Sequence, residues 1–589
     1  MDLNTLVRKR IQGEMLMPLL KQGEYKVLVV DAQAFQIVNT VFASMDELHD
    51  LNIPRVLEIA HSGNSSAQGN MEAIYFMSPC KSNIQRVISD LSASPPRYSG
   101  AHIFTLRPLR DELIDLLKSS PSAFPYIRGL KELNIDLIAQ ESLAFHFNAS
   151  ALDHNLFSSS NQPQAIEQYL ETISDHTISL LATLQVAPRI HYFNPKAVHS
   201  TLSAHLAHRT KQKLEGLCDS FPDTFKHADP FGNQASLIIL DRYVDAVSPF
   251  LHDLHYQSLL HDCLPVDGNK ATQNVSKGFK EFLEDNKTAV EVAAGGKVEV
   301  GTLLDVGRNI MSFNEEKAEF EKHINILSRL SGMVTEERLM LVAEMENTIL
   351  FNIDADGDRV SDKSLYTRFE QLLKDDSLDI YTRLRLLAVY LLATKDLKPP
   401  AELASLWAES CQNEGESSSK LFGVLVNALR CMGADFLDES LRMWHRFSSG
   451  TRPVAKKDEE VYYVDRFKPT VQAVFEDAMD GRLDPSLFPC IENDTPPNAM
   501  GRQDAQSSSM NDKSEGNKGP GKVYRFAKFQ ATWANKRLVG TNVGQEDWRM
   551  NGPRIIILVL GGLGYSEARI AYEISEKYKR QVFIGKPAC

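Results

Sequence analysis

The residues with the chemistry to act on a ligand gather in one stretch, where Asp241, Asp245, His252, His255 and Asp262 follow one another. Carboxylates and imidazoles of this kind hold divalent metals, and His252 and His255 would lie one turn apart on a helix. There is no HExxH and no third ligand at a diagnostic spacing, so the acids read as a salt-bridged turn with Arg242 and the histidines as packing or surface groups. Gly561, Gly562 and Gly564 lie between an apolar run and a helical pattern, where a phosphate would sit. A GxGxxG motif would need glycine at Glu567 and a P-loop would need Gly-Lys-Ser/Thr, while the Glu567 carboxylate already lies at the positive end of the helix dipole. These glycines read as close strand-to-helix packing. Asp354, Asp356 and Asp358 suggest a calcium loop, but Gly357 is fourth instead of sixth and no Glu is twelfth, so a polar turn is expected. No GxSxG, SxxK or nucleophilic Cys context is present.

The elements that would position these groups are two matching strand-to-helix units. Residues 237–240 form a short apolar run, with Asp241, Arg242 and Asp245 at its carboxyl end. Ser248 and Pro249 then suit the start of a helix. Residues 554–573 repeat the design, and two such strands fit side by side in a parallel sheet. The chain between them is then an insertion. Ahead of them, strands are expected over 27–31, 72–77, 102–105 and 135–138, with helices over 82–91 and 111–118, an alternation that gives an α/β domain over 1–135. A second α/β domain, over 136–245 and 481–589, is discontinuous and carries a disordered loop at 494–521. The inserted parts, 246–360 and 361–480, are mostly helical. Residues 314–351 carry Phe320, Ile324, Leu327 and Leu330, then Leu339, Val342, Met345 and Ile349, at helical spacing, and Gly332 suits a break between two arms.

A chain of 589 residues exceeds a single core, and its 43% hydrophobic content is that of a globular protein. The net charge of −13 argues against nucleic acid as the main partner. The opening residues lack the apolar core of a signal peptide, no run reaches the roughly 18 apolar residues of a membrane span, and the seven cysteines contain no CxxC pair. A cytosolic protein with reduced thiols, no cofactor and no structural metal is expected.

Four segments then carry a resemblance: YKVLVVD at 25–31, DRYVDAVSPFLHDLHYQ at 241–257, DRFKP at 465–469 and IIILVLGGLGYSEARIAYE at 555–573. In order and spacing the chain resembles the SM (Sec/Munc) family of syntaxin-binding vesicle-fusion proteins, most strongly the exocytic plasma-membrane branch. The resemblance implies an arch of three domains, the third inserted and bearing a protruding helical hairpin. Asp241, Arg242, Asp245, Pro249, Gly561 and Gly562 are its structural motif. It implies a non-enzymatic chaperone of SNARE assembly, cytoplasmic and peripheral to the plasma membrane or docking vesicles through its partners. A central cleft would clasp the syntaxin bundle, with Asp31, Ala34, Phe35 and Ala43 at the matching positions. An outer pocket of Ile114, Ile127, Leu130 and Glu132 would take the N-terminal peptide of syntaxin, and the hairpin at 311–351, through Phe320, Ile324, Leu327 and Leu330, would engage the vesicle SNARE. The proline common near the hairpin tip is absent at Ser312 and Phe313, so the hairpin is expected to extend readily. The competing readings are a nucleotide-binding α/β enzyme at 561–566 and a metallohydrolase at His252 and His255.

Overall fold

The structure, a computed structural model, describes residues 2–19, 24–42, 44–59, 68–148, 163–194, 202–220, 235–264, 323, 325–394, 399–411, 415–431, 466–491 and 553–587. Its first sheet is built from β1 (Lys26–Val30), β2 (Arg55–Glu58), β3 (Gln68–Met77), β4 (Tyr98–Thr105) and β5 (Ile127–Glu132) in the spatial order β2-β1-β3-β4-β5. Every neighbouring pair is parallel. β1, with the sequence KVLVV, is buried along its whole length, as a central parallel strand must be when helices cover both faces. Helices Ala32–Val41, Lys81–Ser92 and Asp111–Lys118 follow β1, β3 and β4.

Two strands differ from expectation. Residues 135–138 form no strand of this sheet; Ile138 makes only an isolated antiparallel bridge to His146. The outer place belongs to β5, in which Arg128 and Lys131 interrupt the apolar residues. An edge strand carries charge because one margin meets water, and a search for continuous apolar runs passes over it. β2, with the sequence RVLE at the opposite edge, is hidden for the same reason.

The second sheet has the order β6-β11-β10-β8-β7-β9, from β6 (Ala144–His146), β7 (Arg189–Tyr192), β8 (Ser236–Asp241), β9 (Cys490–Ile491), β10 (Ile555–Leu560) and β11 (Val582–Lys586). β8 and β10 lie side by side in parallel, from Ser236↔Ile555 to Asp241↔Leu560, so the two matching units do meet. β9 is antiparallel to β7, which makes this sheet mixed. One apolar cluster contains Leu28, Val30 and Phe76 of the first sheet together with Phe145, Ile190, Ile556 and Leu558 of the second.

A separate cluster belongs to helices Leu339–Phe351, Asp362–Leu373, Ile380–Ala393, Pro400–Ser410 and Gly415–Cys431, with Trp407 fully buried. Val342, Met345 and Ile349 are core residues here, and Leu339 is buried at the start of the first of these helices. The preceding helix, residues 325–336, ends at a left-handed Arg338 with φ 51°, not at Gly332. Gly332 stays helical in open space, whereas Arg338 is held by a 2.5 Å ion pair to Asp375. Among the described residues no helix is long and apolar enough to cross a membrane.

Candidate partner-binding site

The charged turn after β8 is a structural lock. Arg242 donates to both carboxylate oxygens of Glu567, at 2.9 and 2.6 Å, and to the carbonyls of Asp245 at 2.8 Å and Gly562 at 3.1 Å. Burial opposes the guanidinium charge, but Glu567 and Asp245 more than offset it and raise the Arg242 pKa. Asp245 accepts from the N–H of Val247, Ser248 and Thr470 and from the Ser248 hydroxyl. Ser248 therefore donates to Asp245 where helix capping would need it to accept, and Pro249 sits in a single 3₁₀ turn, Ser248–Phe250. The α-helix starts later, at Tyr256–Cys263. Gly561 (φ 87°) and Gly562 (φ 106°) turn the chain after β10 through a conformation that favours glycine. Glu567 then accepts the Gly564 N–H at 2.8 Å, so a carboxylate of the chain itself fills the place where a phosphate would dock on helix Tyr565–Tyr578.

The metal-like set is dispersed. His252 Nδ1 lies 2.6 Å from Glu346, His255 Nδ1 2.5 Å from Asp253, and Asp262 3.1 Å from Arg385. Burial raises the Asp253 carboxyl, but hydrogen bonds from His255 and Ser258 and the nearby Arg569 hold it at about 2. No group of three or more metal-ligating side chains with a suitable arrangement occurs among the described residues. At 354–358 the Asp354 carboxylate accepts the Asp358 N–H at 2.9 Å and Arg466 donates to the Asp354 carbonyl at 2.7 Å, which makes a closed polar turn.

Around the first sheet, the positions expected to face a partner separate by role. Asp31 caps helix Ala32–Val41 through the Ala34 N–H at 2.9 Å, and its second oxygen accepts from the Ser78 N–H and the Asn83 amide. It thus joins the carboxyl ends of β1 and β3 and is occupied. Ala34 is fully buried, so it supports the helix from within and offers no surface. Phe35, one residue on, is 48% exposed, so its ring is open to solvent. Ala43 lies outside the described residues.

Ile114, Ile127 and Leu130 are each partly buried against the apolar cluster of Val29, Tyr75, Ile103 and Leu117 on the first sheet, and Phe124, three residues before Ile127, is 47% exposed. Helix Asp111–Lys118 and edge strand β5 position them. The Glu132 carboxylate accepts the Leu109 N–H at 3.0 Å, so it braces the loop entering that helix. Of the hairpin positions, Leu327 is 52% exposed and Leu330 is buried, while Phe320, Ile324, Ser312 and Phe313 lie outside the described residues, as does the loop at 494–521.

Sequence reasoning missed Asn148, Gln33 and Gln36, which bind one another across the two sheets. Amides have no diagnostic spacing, and no local signal could have found them.

This geometry has solved counterparts. The chain is 25% identical over 640 residues to "Protein transport protein sec1" of Dictyostelium discoideum, covering 99% of this chain and 96% of that protein. It is similar to the structure of the Unc18-syntaxin 1 complex from Monosiga brevicollis, at 20% identity and a TM-score of 0.72, covering 100% of this chain and 97% of that one. It is also similar to Sly1p in complex with an N-terminal peptide of Sed5p, at 16% identity and a TM-score of 0.68, covering 100% and 96%. At these identities the structures show a shared fold. The sequence profile of the Sec1 family matches residues 26–586, and the chain belongs to that family.

Proposed function

We propose that this protein is a syntaxin-binding regulator of SNARE complex assembly in vesicle docking and fusion, acting by binding and not by catalysis. The observation that carries this reading is family membership over nearly the whole chain, with the fold of relatives solved with syntaxin-class partners. The commitment of Asp245, His252, His255 and Glu567 to internal partners supports the absence of a reaction centre.

In this reading residues 1–135 form a syntaxin-binding domain, 136–245 with 481–589 a second domain, and 246–480 the helical insertion. Phe35 is the contact on the cleft side. Ile114, Ile127 and Leu130 take an apolar peptide residue at the outer edge. Leu327 belongs to a face for the vesicle SNARE. The protein works at the plasma membrane or at docked vesicles, held there by its partners. An exposed aromatic ring is the kind of residue that dominates binding energy once enclosed, whereas Glu132 at the rim adds little.

The test is calorimetry with the cytosolic region of a syntaxin-class SNARE, with and without its N-terminal peptide. Nanomolar binding is expected, across an interface above roughly 2,000 Å² if the whole bundle is clasped. Phe35→Ala is expected to cost about 2 kcal/mol, roughly thirtyfold in Kd. Ile114→Arg should weaken the intact partner several-fold and leave the peptide-deleted partner unchanged. Absence of binding to any syntaxin-class SNARE would reject the reading.

A further inference from the structure

Helix Ala32–Val41 is gripped from the second sheet by Asn148, two residues beyond β6. The Asn148 side-chain amide donates both of its protons, one to Gln33 Oε1 at 3.0 Å and one to Gln36 Oε1 at 2.7 Å. Gln33 and Gln36 stand three residues apart, hence on one face of the helix, and they bracket Phe35 in sequence. The orientation of Gln33 is fixed independently. Its Nε2 donates at 3.0 Å to Asp136, which is 1% exposed and lies 2.7 Å from Arg107, so Oε1 must be the atom presented to Asn148. Asn148 itself holds a left-handed conformation, φ 56°, that Asn tolerates better than most residues. Its backbone N–H donates to His146 Nδ1 at 3.2 Å, and burial lowers the His146 pKa to about 4, which keeps that nitrogen an acceptor.

Neutral hydrogen bonds at a partly exposed site add little to stability. Two donors on one rigid amide, matched to two acceptors on one helical face, do fix rotation. We propose that Asn148 is a positioning residue for the partner-binding surface, clipping Gln33 and Gln36 so that helix Ala32–Val41 presents the Phe35 ring in one orientation. This rests on the reading of Phe35 as a partner contact.

The test uses the full chain with Asn148→Ala and with the isosteric Asn148→Asp, which replaces both donors by acceptors. Gln33 cannot turn its amide to compensate because Asp136 holds it, so Asn148→Asp can recover at most the Gln36 contact, by a turn of that amide, and cannot restore the pair. Hydrogen exchange over residues 32–41 is expected to rise several-fold in both variants while exchange in β10 stays unchanged. Affinity for the cytosolic region of a syntaxin-class SNARE should fall about fivefold, the loss of one or two neutral hydrogen bonds. In a Phe35→Ala background that loss should vanish. Unchanged exchange over 32–41 overturns the proposal, as does an equal loss of affinity with and without Phe35. Binding of Phe35→Ala at wild-type strength rejects the cleft reading itself, a failure distinct from that of the clip.

Discussion

Ser203 has one hydroxyl proton and two acceptors before it, the Phe193 carbonyl and Asp241 Oδ2, each at 2.8 Å. With Asp241 ionised the hydroxyl donates to its carboxylate, beside the Ser203 N–H at 3.1 Å; with Asp241 protonated the carboxyl can donate to Ser203 and leave the hydroxyl proton to Phe193. Burial raises the Asp241 pKa from 3.8 to about 6, against the opposing effect of its two hydrogen bonds from Ser203. Because the folded state binds this proton more tightly, the site adds stability at low pH that is lost as pH rises from 3.8 through about 6. Asp241→Asn keeps the same donors and acceptors without the charge. It is expected to stabilise the protein by about 1–2 kcal/mol at pH 7.5, a figure discounted for the partial exposure of the residue, and by much less at pH 5. Thermal melts at the two pH values check this; an equal gain at both would show that Asp241 does not titrate there. His146 works in the opposite sense. Burial lowers it from 6.5 to about 4, so its contribution is present above 6.5 and is lost as pH falls toward 4. Arg242 and Glu567 form the most enclosed ion pair of the motif, with side chains 3% and 1% exposed. Arg242→Ala leaves a buried carboxylate alone and should cost about 3–5 kcal/mol in urea unfolding, with β8 and β10 losing protection together.

At the scale of elements, β11 shows how tightly the second sheet is registered. Gly585 pairs with Phe145 of β6, and a Cβ at Gly585 would run into the Phe145 ring. Gly585→Ala is expected to cost about 1–3 kcal/mol by overpacking, and Phe145→Leu in the same chain should recover part of the loss, a non-additivity that denaturant melts measure. Lys579 ends helix Tyr565–Tyr578 in a left-handed conformation, φ 49°, where glycine is preferred. The edge strand β5 is the outermost strand at one side of the first sheet among the described residues, with Ile127 and Leu130 packed against its apolar cluster. The sequence pattern found its neighbouring helix, Asp111–Lys118, through Leu113, Leu116 and Leu117, but passed over the strand because its charges break the apolar run.

For the whole molecule, the shared apolar cluster makes the two sheets one cooperative body. Phe145, 1% exposed, lies within that cluster, and Phe145→Ala is expected to destabilise by about 3–5 kcal/mol. Hydrogen exchange should then quicken in β1 and β10 alike, while helix Ile380–Ala393 in the separate helical cluster changes little. Loosening confined to the second sheet would contradict a single body. The helical cluster joins the rest through the segment that follows the β8 turn: Val247, Phe250 and Leu251 pack into it, Arg385 donates to the carbonyls of Phe250 and Leu251, and His252 pairs with Glu346.

The sequence by itself determined the α/β class and the pairing of residues 237–240 with the strand that starts near 554, because short all-apolar runs between helical patterns read as buried parallel strands, and its four matching segments carried the resemblance to the family. It also argued against a phosphate site at Gly561 by placing Glu567 at the helix start, and the structure puts that carboxylate on the Gly564 N–H. Tertiary structure decided which residues at the expected partner surfaces are free to meet a partner. Asp31, Ala34 and Phe35 are near neighbours in the chain, yet one is spent on capping, one is sealed in the core and one is exposed. That division depends on Ser78, Asn83 and Asn148, which are distant in sequence and brought near only when the strands pair. Apolar periodicity fixes which face of a helix turns inward, but the partners of polar side chains are set by the packing of whole sheets.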